Sequence, residues 1–272
     1  MGRHLLAVAG AIWAGACAKN SMAPTSVPTT SAIPTTNTSA PRLQVSRFIA
    51  FGDSITYGED GRNVASDPLS VRPLVQVESP YPSVLLFELQ QKYIAQILTV
   101  FNDGARGEAA GDPGAFARFD RDVVGGGYQS VLLMEGANDL GSDGIPAAIG
   151  GLRRMVEDAK SHSVRVFLAT IPPEQQNADP FPYARNHPPE EVLALNDQIR
   201  ALASAEGVPL VDVYEAFPSP NANDLYSLGL LSRDGLHPLQ HGYDVIAGTF
   251  SSAIRQALEL APSPVLPTSK ST

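Results

Sequence analysis

The chain has 272 residues, of which 43% are hydrophobic and 17% are charged, a composition typical of a globular protein with a substantial buried core. It carries 19 Lys and Arg against 28 Asp and Glu, a formal net charge of -9. Such a surface repels phosphate backbones, so we expect no nucleic-acid partner. The single cysteine, Cys17, excludes an intramolecular disulfide and a cysteine-rich metal site.

Residues 1–16 have the pattern of a secretory signal peptide, with a short basic start and an apolar stretch that ends in small residues. Cys17 follows at once, as in bacterial lipoprotein signals, in which this cysteine becomes the lipidated first residue. Ala14 stands where those signals usually carry a larger aliphatic residue, so simple cleavage after Ala16 or Ala18 stays an alternative. A buried N-terminal helix is disfavoured because the following segment cannot pack. We therefore expect an extracytoplasmic protein, secreted or anchored to a membrane by a lipid at Cys17.

Two segments flank the expected folded domain. Residues 17–42 are rich in Ser, Thr and Pro and contain no acidic residue, which is typical of a disordered tether. The last residues, 262–272, have the same composition and are predicted to form a disordered tail. One folded domain is therefore expected over residues 43–261.

Short, continuous apolar runs divide this domain, a pattern typical of strands buried on both faces of a parallel sheet. The runs are residues 48–51, 97–101, 131–134, 166–169 and 210–213. Helical patterns separate them, after Pro82, in 145–161, in 190–205 and in a last helix expected to start at Pro238. This alternation predicts an α/β fold, a doubly wound three-layer sandwich around a five-stranded parallel sheet.

A serine lies in the loop after the first run, where ligands of such sheets bind. The loop reads Gly-Asp-Ser-Ile-Thr-Tyr-Gly over residues 52–58, with Ser54 where a helix begins. Ser54 fits a helix N-cap, and it equally fits a nucleophile whose developing charge the helix amides stabilise. Thr56 occupies the second glycine position of a Gly-x-Ser-x-Gly elbow, so a serine hydrolase here is of another type.

A base for this serine is offered by His237, which among the five histidines has a carboxylate at short fixed spacing, Asp234. A glycine bends the intervening loop, so Asp234 can fold back and orient the imidazole. An ordinary Asp-Gly surface turn is the alternative interpretation. His237 and His241 also have the spacing of zinc ligands on a helix, but they straddle a helix start without a third ligand nearby, which disfavours a metal site.

Two further loops offer hydrogen-bond donors for an oxyanion. After the second run, Gly104 and Gly107 can each bring a backbone amide close to a ligand. After the third run, Asn138 can present its side-chain amide. The neighbouring Asp53 and Asp139 are predicted to accept hydrogen bonds from loop backbone.

Together these loops resemble the four sequence blocks of the SGNH or GDSL hydrolase family, as found in bacterial secreted or lipoprotein members. The matching blocks are 51–54, 102–107, 136–139 and 234–238. Ile55 replaces the leucine of the family name, and Ala137 stands where glycine is frequent. The similarity spans residues 47 to about 260, essentially the whole expected domain.

The resemblance implies a flavodoxin-like sheet and a serine esterase. It makes Ser54 the nucleophile, His237 the general base and acid, and Asp234 its orienting partner. The oxyanion hole would comprise the amides of Ser54 and Gly107 with the Asn138 side chain, and no metal or cofactor would be needed. An extracytoplasmic place favours an ester on a glycan or lipid. The competing hypothesis is a non-catalytic, tethered glycan-binding module that keeps the fold.

Substrate selection is assigned to the two long connections beside the expected site. These are residues 59–80 and the Pro-rich residues 171–189.

Overall fold

A parallel five-stranded sheet forms the centre of the protein in a computed structural model, which describes residues 40–60, 79–140, 144–174, 187–218, 222–232 and 234–261. In chain order its strands are β2 (Arg47–Gly52), β3 (Thr99–Gly104), β4 (Ser130–Met134), β5 (Arg165–Ala169) and β6 (Leu210–Val211). They lie side by side in the order β3-β2-β4-β5-β6. This confirms the predicted parallel α/β sheet, and the order is that of flavodoxin-like folds.

The order of the strands reverses at β2, which pairs with β3 on one side and with β4 on the other. In an open α/β sheet a crevice forms at such a point, outside the carboxyl ends of the strands. The loops that follow β2, β3 and β4 therefore meet around one crevice.

Helices cover both faces of the sheet. In chain order they are α1 (Ser54–Tyr57), α2 (Tyr81–Lys92), α3 (Pro113–Phe119), α4 (Ala137–Leu140), α5 (Ile145–Ser161), α6 (Pro189–Glu206), α7 (Val213–Ala216), α8 (Ala222–Ser227) and α9 (Gln240–Leu258). A π-helical turn, Asp120–Val124, continues α3. Helix α9 contacts α2 and α7 on one face, and α3, α5 and α6 form the layer on the other, which completes the three-layer sandwich.

The core lies between these layers, where β2 and β4 are buried almost completely. Phe51 of β2 packs edge-on against Phe119 of α3, with ring centroids 5.1 Å apart. In the other layer Tyr81 stacks on Phe250, with centroids 5.2 Å apart. The strands that precede the crevice are thus held rigidly by aromatic contacts and apolar burial.

Three details of the sequence-based expectation are wrong. The second run was expected to be buried on both faces, but β3 is an edge strand, and Ile97 is 90% exposed just before it. The fifth run is shorter than expected, because β6 ends at Val211 and Val213 already begins α7. The last helix starts at Gln240 rather than Pro238, since Pro238 forms a bridge with Leu231 instead.

A small second sheet joins the two ends of the described region. Strand β1 (Arg42–Leu43) pairs antiparallel with β7 (Glu259–Leu260). The first described strand therefore starts at Arg42, the last residue of the predicted tether. The predicted signal peptide, the rest of the tether to residue 39 and the tail 262–272 lie outside the described residues. Among the helices that the structure describes, none combines the length and apolarity needed to cross a bilayer.

Candidate active site

Ser54 is held in a tight turn between β2 and α1. Asp53 is the N-cap of α1, and its Oδ1 accepts the Ile55 N–H at 2.8 Å, so the interpretation of Ser54 as the N-cap is wrong. A Cβ at Gly52 would lie 2.0 Å from Thr56 Oγ1, so only glycine permits this turn. Ser54 becomes the first residue of α1, 5% exposed at the carboxyl edge of the sheet.

His237 is held by a short loop before α9. The bridge between Leu231 and Pro238 closes this loop, and the Ser232 N–H donates to the His237 carbonyl at 2.9 Å. Gly235 has a φ of 75°, a left-handed conformation that glycine adopts readily and that turns the chain between Asp234 and His237.

These two loops bring together the three residues that the sequence singled out. His237 Nε2 lies 2.9 Å from Ser54 Oγ, and His237 Nδ1 lies 2.6 Å from Asp234 Oδ2. Assigned from these partners, Nδ1 carries the proton and Nε2 accepts from the serine hydroxyl. The Asp234 Oδ1 accepts the backbone N–H groups of Leu236 and His237 at 2.9 and 3.0 Å. Ser232 Oγ donates to the same oxygen at 2.5 Å, so the carboxylate is fixed at both ends.

Opposed effects set the charge of this pair. Burial acts to raise the pKa of Asp234, but hydrogen bonds and charge from His237, then donors on Ser232 and Leu236, lower it to about 2. Burial acts to lower the pKa of His237, but the hydrogen bond and the charge of Asp234 raise it. The charges of Glu59 and Asp53 add smaller increases, so the pKa lies above its ordinary value. An ionised Asp234 thus makes His237 a stronger base than a free histidine.

The expected oxyanion donors lie on two neighbouring loops. Gly107 has a φ of 74° and a Cβ there would meet nothing within 4 Å, whereas a Cβ at Gly104 would lie 2.1 Å from the Tyr57 nitrogen. Gly104 therefore packs on α1, while Gly107 lies in open space. Asn138 Nδ2 donates to the Glu108 carbonyl at 2.8 Å. Its contact with Asp53 Oδ2 is long, at 3.4 Å.

The prediction that these carboxylates bind loop backbone is confirmed for Asp139, whereas Asp53 caps α1 instead. Asp139 accepts the Ala110 and Gly111 N–H groups at 2.7 and 2.8 Å, which ties the loop after β3 to the start of α4. Asp53 accepts the Ile55 N–H described above. Burial raises the pKa of Asp53 to about 7, although the Ile55 hydrogen bond acts to lower it.

Sequence reasoning missed Arg118, which joins the ends of β2 and β3 to the loop that follows β3. Its guanidinium donates to the Asp103 and Gly52 carbonyls at 2.7 and 3.2 Å and forms an ion pair with Glu108. Its Cζ also lies 3.7 Å from the centre of the Phe51 ring. Arg118 belongs to α3 and stands apart from every motif, so no spacing in the sequence indicated these contacts.

Other buried ionisable groups near the site were also missed. Glu59 accepts two hydrogen bonds from Arg106, at 2.9 and 2.7 Å. His187 Nδ1 lies 2.7 Å from Glu174 Oε2, with both side chains buried. Glu135 is wholly buried, and burial raises its pKa well above the ordinary value. Most of the two predicted selection segments, residues 61–78 and 175–186, lies outside the described residues.

The metal alternative gains no support from the part of the chain that the structure describes. There, no three His, Cys, Asp or Glu side chains converge to hold a metal ion. His241 is exposed on α9, whereas His237 is buried in the loop before it, where its two ring nitrogens contact Ser54 and Asp234.

Comparison with known proteins decides the family. The model of the GDSL-like lipase/acylhydrolase family matches residues 50–245, a range that contains Ser54, Gly107, Asn138, Asp234 and His237. The chain belongs to this family. It is therefore a hydrolase that acts on ester bonds, as the resemblance implied. A search of curated proteins by sequence found no match.

Solved structures of GDSL-like proteins and esterases share the fold. A lipase/acylhydrolase from Enterococcus faecalis is 21% identical, with a TM-score of 0.59 over 81% of this chain and 99% of its own. An acetylxylan esterase from Geobacillus stearothermophilus is 21% identical, with a TM-score of 0.56 over 77% of this chain and 94% of its own. A carbohydrate acetylesterase from Sinorhizobium meliloti is 14% identical, with a TM-score of 0.60 over 78% and 99% of the two chains.

Proposed function

We propose that this family member is a serine esterase that works through an acyl-enzyme on Ser54. The observation that carries the proposal is the chain of short contacts from Ser54 Oγ to His237 Nε2 at 2.9 Å and from His237 Nδ1 to Asp234 at 2.6 Å. A nucleophile within reach of a base, with the base oriented by a carboxylate, is the arrangement that nucleophilic acyl transfer requires.

In the first half-reaction Ser54 Oγ attacks the ester carbonyl carbon while His237 Nε2 takes the hydroxyl proton. The carbonyl oxygen becomes an oxyanion, for which we propose the amides of Ser54 and Gly107 and the second N–H of Asn138 as donors. Asn138 Nδ2 lies 3.4 Å from Asp53 Oδ2, at the long end of the hydrogen-bond range. His237 then protonates the departing alcohol, which leaves the acyl group on Ser54.

In the second half-reaction water attacks the acyl carbon and gives a proton to the same imidazole nitrogen. Collapse of the intermediate releases the carboxylic acid and returns the proton to Ser54 Oγ. Asp234 stays ionised throughout and stabilises the imidazolium, in keeping with its low pKa. The residues of the site complete the cycle without a cofactor.

The substrate that we propose is an ester on a glycan or a lipid, with an acetylated glycan favoured. Support comes from two structural neighbours, which are described as an acetylxylan esterase and a carbohydrate acetylesterase. The predicted extracytoplasmic location, with a lipid at Cys17 or simple cleavage, would give access to such substrates. The mass of the N-terminal peptide of the mature protein distinguishes these two forms.

A hydrolysis panel tests the function and the substrate class together. The panel compares acetylated xylo-oligosaccharide, short and long acyl esters of p-nitrophenol, an acyl thioester and a phospholipid, each with wild type and Ser54→Ala. Ser252→Ala is a matched control, because that hydroxyl donates only within α9, to Gly248. We expect hydrolysis by wild type and the control and none by Ser54→Ala. A protein that binds the glycan but hydrolyses none of the panel would instead be a binding module.

A further inference from the structure

A second carboxylate lies on the serine side of the imidazole. Glu59 Oε2 is 3.7 Å from His237 Nε2, the nitrogen that also faces Ser54 Oγ. The Glu59 side chain is only 9% exposed. At 3.7 Å the contact is too long for a hydrogen bond but close enough for a strong interaction between charges.

The backbone of Glu59 is fixed to the site on two sides. Its N–H donates to the Ser54 carbonyl at 3.0 Å, and its own carbonyl accepts the Tyr243 hydroxyl at 2.5 Å. Gly58, with a φ of 99°, ends α1 and turns the chain so that both contacts form. The position of this carboxylate is therefore set by the nucleophile's own helix and by α9.

Arg106 fixes the orientation of the carboxylate. Its Nε donates to Glu59 Oε2 at 2.9 Å and its terminal nitrogen to Oε1 at 2.7 Å, a two-point contact that prevents rotation of the carboxylate. Arg106 directly precedes Gly107, so the same pair joins the nucleophile loop to the loop of the expected oxyanion donor.

The charges around His237 are unequal on its two sides. The negative charge of Asp234 faces Nδ1. The carboxyl groups of Glu59 and Asp53 interact with the imidazole from the serine side, and that of Glu174 does so from the loop after β5. When Nε2 takes the serine proton, the imidazolium carries an N–H directed toward Ser54 with Glu59 close by. A carboxylate free to move would accept that N–H and draw the ring away from Ser54. The contact with Arg106 holds it at 3.7 Å and offsets part of its charge.

We propose that Glu59 and Arg106 form a positioning pair for His237, a proposal that rests on the proposed function. Glu59 increases the proton affinity of Nε2 through space, and Arg106 limits that increase and keeps the imidazole directed at Ser54. Neither residue touches the reacting atoms. The pair sets the pH at which His237 becomes an effective base.

The test is the pH dependence of the rate at which a fluorophosphonate probe labels Ser54. Glu59→Gln removes the negative charge, so the acid limb of the profile moves to lower pH by about one unit. Arg106→Gln leaves the carboxylate charge without its partner, so the acid limb moves to higher pH. The acid limb of the double variant should lie near that of Glu59→Gln. Once the Glu59 charge is gone, Arg106 has no charge to offset, so its removal adds little. Arg106→Lys, which keeps the positive charge, leaves the limb near its wild-type position.

A remote ion pair of similar geometry supplies the matched control. Arg200 donates to both oxygens of Asp212 at 2.8 and 2.9 Å and is partly exposed, as Arg106 is. Arg200→Gln is expected to leave the acid limb unchanged. Circular dichroism verifies that each variant is folded. If Glu59→Gln does not fold, the direction in which Arg106→Gln moves the acid limb tests the proposal by itself.

Opposite shifts of the two single variants support the proposal, since loss of a merely structural pair would slow labelling without moving the limb in opposite directions. This proposal alone is overturned if the variants are still labelled at Ser54 but the acid limb does not move, or moves in the same direction in both. The proposed function would then stand. A wild type that is not labelled at Ser54 overturns the proposed function, and this proposal with it.

Discussion

Asn138 combines two tasks at one residue. Its amide nitrogen donates to the Glu108 carbonyl, directly after Gly107, and also lies near Asp53, directly before Ser54. The side chain therefore connects the two loops that carry the other expected oxyanion donors, in addition to its own proposed role as a donor.

Replacement of Asn138 should consequently impair turnover more than substrate binding. We expect Asn138→Ala to lower kcat by roughly 10²- to 10³-fold with a small change in KM, because an oxyanion donor acts in the transition state. Asn102→Ala is the control, since that side chain bonds only to loop backbone, at Tyr57 and Gly104, and should cost far less. Steady-state kinetics on an ester that the wild type hydrolyses measures both constants. Unchanged turnover in Asn138→Ala would remove this residue from the site.

The raised pKa of His237 makes a prediction about pH. Protonated His237 cannot accept the serine proton, so kcat/KM should fall as the pH falls through the folded-state pKa. Since that pKa lies above the ordinary histidine value, the midpoint should lie above about 6.5. A wild-type profile that stays flat to about pH 4 would contradict the role of His237 as the base.

The meeting of Ser54, Asp234 and His237 could be predicted from the sequence, because their loops are short and each contains a distinctive local pattern. Ser54 lies two residues after a buried strand, and Asp234 and His237 are three residues apart. The contact of Glu59 with Arg106 could not be predicted, since 47 residues separate them and their meeting depends on how two loops pack. Arg118 was missed for the same reason.

At the scale of elements, α5 packs closely on the loop that follows β3. A Cβ at Gly151 would lie 1.8 Å from the Ala110 carbonyl, whereas a Cβ at the adjacent Gly150 would meet nothing within 4 Å. Ala110 also donates its N–H to Asp139, so this loop is held between α4 and α5. The two neighbouring glycines thus offer a matched pair of substitutions.

Gly150→Ala should stabilise the protein by up to about 1 kcal/mol, because alanine is the better helix former and has room there. Gly151→Ala should destabilise it and lower activity, because the new methyl group displaces the loop that carries Gly107. Urea unfolding gives the free energies, and the rate of probe labelling reports the site. Equal effects of the two substitutions would show that α5 does not hold this loop.

Element types were predictable because buried parallel strands and amphipathic helices have different apolar patterns. Which strand occupies an edge was not predictable, since the run 97–101 is apolar apart from Thr99 although β3 is half exposed. Strand order depends on crossovers between distant segments, which local patterns do not specify.

At the scale of the whole molecule, several buried carboxyl groups make stability depend on pH. Burial raises the pKa of Asp53 to about 7, and burial also raises the pKa values of Glu135 and Glu174. The folded protein thus binds more protons than the unfolded chain between about pH 4 and the folded-state pKa of each group. The free energy of unfolding should therefore fall as the pH rises through this range. The raised pKa of His237 acts in the same direction above about pH 6.5, and the lowered pKa of Asp234 acts only below about pH 4.

We accordingly expect the protein to be more stable at about pH 5 than at about pH 8, by up to about 1.4 kcal/mol per pH unit for each such group. Urea unfolding at a series of pH values measures this slope. Asp53→Asn keeps a side chain that can cap α1 but removes the ionisation, so its slope should be smaller between about pH 4 and pH 7. Stability that rises with pH over this range, or an Asp53→Asn slope equal to that of wild type, would refute the assignment.

The most direct measurement is peptide mapping of the protein after reaction with a fluorophosphonate probe, because the probe forms a stable bond only with an activated serine. We predict that the phosphonyl group is found on Ser54 alone, that Ser54→Ala is not labelled, and that His237→Ala is labelled far more slowly. A modified serine elsewhere, or ester hydrolysis that persists in Ser54→Ala, would contradict a nucleophile at the start of α1.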